Sequence, residues 1–180
     1  MIIKRFKSII FLCLLFTNLV ISGLTHVSVF AQGATTPAQI NGLFNPDTIY
    51  PSETSRLTIN VYNPNSYELT DVEWTNNLPD DLVVVNPAAP LVTGCGGGYT
   101  LTADPVTQTI SLSGATTDGT TNPVSPGICS VTVSVTSFEV GNHTNIIKTT
   151  DGRYTIDGTP ENNFEYDANI TLLVLPIVSP

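Results

Sequence analysis

Leu57-Thr58-Ile59-Asn60-Val61-Tyr62 alternates apolar and polar side chains at every step, and Asn63-Pro64-Asn65 then breaks the run. Successive side chains of an extended chain leave opposite faces, so Leu57, Ile59 and Val61 line one side and Thr58, Asn60 and Tyr62 the other. That period, closed by a proline turn, predicts a half-buried β-strand. The same reading carries outward. Val72 and Trp74 alternate with Asp71, Glu73 and Thr75, while Val131, Val133 and Val135 alternate with Thr132, Ser134 and Thr136. Further strands are predicted over 82–85, 99–103, 109–113, 143–149, 153–156 and 166–175, with 99–103 and 109–113 as a hairpin. Proline and glycine punctuate the gaps, at Leu78-Pro79, 94–98, Asp118-Gly119, Pro126-Gly127, Asp151-Gly152 and Asp157-Gly158. No segment holds a helical period. The expectation is an all-β, antiparallel β-sandwich of about seven to ten short strands. Trp74, in phase with Val72, belongs to its core.

Upstream of this region the chain changes character. Lys4, Arg5 and Lys7 precede an apolar run over 9–20, and Val29-Phe30-Ala31 places small residues where a signal peptidase reads them. Residues 1–31 read as a secretory signal peptide cut between Ala31 and Gln32, and no later stretch is apolar and long enough to span a bilayer. The expected divisions are a flexible lead-in over 32–39, a sandwich domain over 40–175 and a short tail over 176–180. Export leaves 149 residues, enough for one domain with a sizeable core. Three cations (Arg56, Lys148 and Arg153) then face fifteen carboxylates, a net charge of −12. Such a surface repels nucleic acid and anionic lipid.

Cys13 lies inside the leader, so Cys95 and Cys129 remain as a pair in an oxidising compartment and are expected to form a disulfide. Phase puts Cys129 inward with Val131 and Val133, whereas Cys95 sits in a glycine-rich loop. The bridge would tie that loop to the start of a core strand.

Several motifs in order resemble the bacterial conserved-repeat surface domains, Ig-like modules of undefined function. They are Phe44-Asn45-Pro46, Ser55-Arg56-Leu57-Thr58-Ile59, Asn63-Pro64-Asn65, Leu69-Thr70-Asp71-Val72 and Leu78-Pro79-Asp80-Asp81-Leu82-Val83-Val84. They continue with Thr93-Gly94-Cys95-Gly96-Gly97-Gly98, Gly127-Ile128-Cys129-Ser130-Val131-Thr132-Val133, Gly141-Asn142-His143-Thr144-Asn145 and Ala168-Asn169-Ile170-Thr171-Leu172. The resemblance covers about residues 40–175 and implies an Ig-like sandwich. Such domains usually stand in tandem arrays on large surface proteins. Here one copy is followed by Pro176-Ile177-Val178-Ser179-Pro180, similar to the lead-in of a further module. The implied role is a non-catalytic structural or adhesive component of the cell surface or extracellular matrix, with matrix proteins or polysaccharide as partners. Its rival is a secreted carbohydrate-binding module, for which Tyr50, Tyr62, Tyr67, Tyr99, Tyr154 and Tyr166 are available without a spacing that puts them on one face.

Reactive constellations are sparse. His143 is the one histidine left after the leader, and it reads as a turn or edge residue rather than a catalytic base. Asp80 and Asp81 are adjacent, so an extended chain points them apart. The glycines at 94–98 lack the Gly-Lys-Ser/Thr ending of a phosphate loop. Two cysteines and one histidine fall short of a structural zinc set. Asp151, Asp157, Glu161, Glu165 and Asp167 form a weak calcium candidate, since calcium takes several oxygen ligands from such loops. No metal or other cofactor is expected. Lys148 has Asn142, Asn145 and Asn169 as nominal partners for an internal amide link, but nothing in the sequence places them in contact, and it reads as an exposed strand lysine. Asn142-His143-Thr144 and Asn169-Ile170-Thr171 match the glycan acceptor pattern without further support.

Overall fold

A computed structural model describes residues 35–86, 88–119 and 127–178. Among these residues the strands are β1 (Gln39–Asn45), β2 (Thr48–Ile49), β3 (Thr54–Asn63), β4 (Leu69–Asn77), β5 (Val83–Val84), β6 (Leu91–Thr93) and β7 (Thr100–Asp104). They continue with β8 (Thr109–Thr117), β9 (Gly127–Thr136), β10 (Gly141–Ile147), β11 (Gly152–Ile156), β12 (Thr159–Glu161) and β13 (Ala168–Val174). A single 3-10 turn spans Thr149–Asp151.

The first sheet has the order β1-β3-β9-β5, with β6 also on β9. The alternation that predicts β3 decides its register. Leu57, Ile59 and Val61 stand opposite Val133, Val131 and Cys129, and all six are buried. A slip by one residue would bring Thr58 and Asn60 into the core, so the apolar phase holds the pairing. Each buried Leu, Ile or Val contributes roughly 1.5–3 kcal/mol. The leader, including the cut between Ala31 and Gln32, lies outside the described residues.

A second ladder, β12-β11-β4-β8-β7, supplies the opposing apolar face. Trp74 and Val72 on β4 are buried, as are Ile110 and Leu112 on β8 and Tyr154 and Ile156 on β11. The predicted hairpin is β7 and β8, closed by a turn in which Val106 N–H donates to Asp104 Oδ1 at 2.7 Å. That bond holds the Asp104 carboxyl below the usual carboxylate range. The third ladder, β10-β13-β2, contributes Ile147, Leu172, Val174 and Ile49 to the same core cluster.

β1 and β2 divide one strand between two sheets. β1 runs antiparallel to β3, and after the cis Asn45–Pro46 bond β2 runs parallel to β13. Leu173 N–H donates to Asp47 O and Leu175 N–H to Ile49 O, both at 2.9 Å. The all-β, Ig-like sandwich class is as the sequence predicts. The strands are more numerous and one ladder is parallel, because bulges and short edge pieces leave no alternation to read. The 82–85 strand shrinks to β5 for that reason.

One expectation is corrected. The described part of the lead-in is docked: Asn65 accepts Thr36 N–H and donates to Thr36 O (both 2.8 Å), and Ala38 N–H donates to the Tyr154 hydroxyl at 2.9 Å. Ala38 is fully buried.

Candidate functional site

The outward residues of β1, β3, β9 and β6 make a face that carries no carboxylate. Its one formal charge is Arg56. Cross-strand rungs bind the face together. Asn60 Nδ2 donates to Asn41 Oδ1 at 3.0 Å, and Ser130 Oγ donates to Asn60 Oδ1 at 2.6 Å. The Thr58 and Thr132 hydroxyls meet at 2.9 Å, with Leu43 and Leu91 at either end of that row. Tyr62 and Ile128 pair at one end, beside Gln39.

At the margin of this face lies a cleft of about 290 Å³ between residues 39–42 and residues 166–170. It exists because β1 and β13 belong to different ladders. They are joined beyond each end, by Glu165 N–H donating to Ala38 O (2.9 Å) and by the β2–β13 pairing, and between those points no ladder pairs them. Gly42 permits the close approach: a Cβ there would lie 2.8 Å from Ile170 Cδ1. Gln39 Nε2 donates to Glu165 Oε2 at 2.6 Å. The Glu165 carboxylate beside Tyr166 raises that phenol above its usual range, and the Tyr166 ring is 61% exposed.

A larger groove of about 460 Å³ opens on the opposite ladder between Asp71, Glu73, Arg153, Glu161 and Asn162. Register shifts in β4 on both sides of Val72, with Asp71 at φ 51°, bend the strand there. Arg153 Nη2 lies 2.7 Å from Glu73 Oε2, an exposed pair that adds less than about 1 kcal/mol to stability.

His143 is the clearest departure from sequence reading. It lies on β10, the end strand of its ladder, but is buried there, with Nε2 2.8 Å from Glu139 O and 3.3 Å from Ser137 Oγ, and Nδ1 3.6 Å from Asp81 Oδ2. The constellation lists a serine, a histidine and an aspartate but does not form a hydrolytic set. Nε2–H is committed to a carbonyl, so no lone pair there faces the serine. Ser137 is fully buried and accepts Glu139 N–H at 3.2 Å. These bonds staple the turn between β9 and β10 to the segment before β5.

The five calcium candidates do not converge. Asp151 Oδ2 accepts Lys148 N–H (3.1 Å) and Asp167 Oδ1 accepts Thr149 N–H (2.6 Å), so both cap the 3-10 turn. Glu165 holds Gln39, Glu161 lines the acidic groove, and Asp157 takes a left-handed turn position with φ 47°. Among the described residues no three His, Cys, Asp or Glu groups stand together as a metal site. Lys148 is exposed, just beyond the end of β10. Cys95 and Cys129 are bonded, with Cα atoms 4.4 Å apart. Of the tyrosines, Tyr154 is core and Tyr50, Tyr67, Tyr99 and Tyr166 are exposed. The carboxylate-free face went unread in the sequence, although its signal, acid-free strands in an acidic chain, is there. The cleft has no local signal.

Comparison with known proteins defines the class first: an Ig-like fold, shared with a bacterial cohesin and a bacterial adhesin domain. The chain matches a cohesin of Acetivibrio cellulolyticus, solved in complex with a dockerin, at TM-score 0.53 and 13% identity, over 77% of this chain and 99% of that one. It matches the collagen-binding domain of a Staphylococcus aureus adhesin at TM-score 0.50 and 14% identity, over 76% and 98%. Against the major pilin BcpA of Bacillus cereus the TM-score is 0.48 and the identity 11%, over 77% of this chain and 40% of the pilin. No curated protein matches the sequence. The chain belongs to the family described as a domain of unknown function, DUF7933, which it matches over residues 39–164.

Proposed function

We propose that this protein is an exported, non-catalytic adhesive or structural module of the bacterial cell surface or matrix, and that it engages its partner through the face of β1, β3, β9 and β6. Its leader would be residues 1–31, cut between Ala31 and Gln32. The observation that carries the reading is the segregation of charge. Fifteen carboxylates crowd one chain, yet none falls on that face. Bringing carboxylates against a partner costs several kcal/mol each unless they are paired, whereas hydroxyls and amides exchange water for partner groups at small net cost. The fold itself is a binding scaffold in other proteins, holding a dockerin in the cohesin complex and collagen in the adhesin.

The test is retention of the labelled mature protein on cells and cell-free matrix of its own host. Saturable binding is expected, and Asn41→Asp, which puts a carboxylate on the face with little change of shape, should weaken it about tenfold. Binding no greater than that of an unrelated acidic protein would sink the proposal.

A further inference from the structure

We infer that the partner of this face is a neutral polysaccharide, one sugar of which enters the cleft beside Tyr166. The inference rests on the adhesive reading and gives it a ligand class. Three features converge on hydroxylated, uncharged chemistry. The first is the row of amides and hydroxyls, Asn41, Asn60, Ser130, Thr58 and Thr132, already bonded across the strands. Those bonds hold each side chain in one rotamer before a ligand arrives, which lowers the ordering cost of binding. Bonding within the rung leaves the Asn41 amide group free to donate outward.

The second feature is aromatic. Tyr166 stands exposed and lines the cleft. Its ring offers an apolar plane to the C–H face of a sugar, while Asn41 and Asn169 on the cleft walls offer polar groups to its hydroxyls. A cleft of about 290 Å³ is at the small end of ligand sites, matching one ring and not an extended oligomer. The third feature is extent. Ten-residue strands at about 3.3 Å per residue make the face about 33 Å long, room for several sugar units.

A protein partner fits less well. Protein interfaces draw their energy from buried Trp, Tyr and Arg anchors and are poor in serine and threonine, the residues that dominate here. An acidic polysaccharide would be repelled by the net charge of −12, against which Arg56 stands alone on the face.

The experiment is co-sedimentation of the mature protein with insoluble cellulose, chitin and mannan. It is run at low salt and again at salt on the order of 1 M, where charge pairs are screened beyond about 3 Å. Retention on at least one polymer, unchanged by salt, is expected. Tyr166→Ala and Asn41→Asp should each weaken it about tenfold, and Asp71→Asn, on the opposite ladder, should leave it as it was. Circular dichroism melts of the variants check that each is folded, and Thr132→Glu gives a second charged variant should Asn41→Asp fail to fold. No retention on any polymer, loss in high salt, or wild-type binding by the folded variants overturns the inference. If the protein binds host cells through the face but no polymer, the partner is a protein: this inference falls and the adhesive reading stands.

Discussion

Buried polar side chains hold this molecule's loops. Asn63 is fully buried, and its Nδ2 donates to Tyr67 O (2.7 Å), Asp118 O (3.0 Å) and Thr117 O (3.3 Å), while Oδ1 accepts Asn65 N–H (3.0 Å). Asn63→Ala strips partners from several buried carbonyls at once. It should cost about 2–3 kcal/mol, read as a lower urea midpoint with unchanged slope. Tyr154 acts similarly at the N-terminal edge, accepting Ala38 N–H and packing on Phe164 with ring centroids 5.6 Å apart. Burial raises its phenol above the usual value near 10. Because the folded state then keeps its proton longer than the unfolded chain, the contribution is complete below pH 10 and is lost as pH rises through the folded value. Tyr154→Phe should lose about 1–3 kcal/mol at neutral pH, from the orphaned amide, and should fall less steeply above pH 10 in alkaline melts.

Among the elements, the segment from β6 through 94–98 ties the sheet of β9 to the ladder of β8. β6 pairs with β9, and three residues on Gly96 bridges Thr116 of β8, with Gly96 N–H donating to Thr116 O (2.9 Å) and Thr116 N–H to Gly96 O (3.0 Å). The disulfide from Cys95 to Cys129 stands at that crossing. Gly94 is needed beside it, having φ 68° and Ile128 O where a Cβ would be. At a sequence separation of 34, the bridge contributes about 3–4 kcal/mol through the unfolded chain. Reduction, or Cys95→Ser with Cys129→Ser, should lower the melting temperature by several degrees while circular dichroism still reports β-structure; an unchanged melt would show that the ladders alone hold the crossing.

At the scale of the whole molecule, what could be read in advance divides by the range of the forces involved. Alternation in β3, β4 and β9 was legible because side-chain phase is a local property of an extended chain, and it carried the β-class, the core residues Leu57, Trp74 and Val131, and the inward Cys129. The cysteine pair was legible from count and compartment alone. The burial of His143 was not legible because it depends on Asp81 and Glu139 arriving from other segments, which no spacing along β10 records. The calcium candidates looked like a cluster in the sequence because they lie near one another along the chain, and the fold spent their oxygens on separate backbone and side-chain donors. By itself, then, the sequence determined the long alternating strands, their buried faces and the disulfide, since burial of apolar side chains at period two leaves one face for each residue. Only the tertiary structure decided which strands became neighbours. That choice gathered the acid-free strands into one face and opened the cleft beside Tyr166, because both depend on residues brought together from distant parts of the chain.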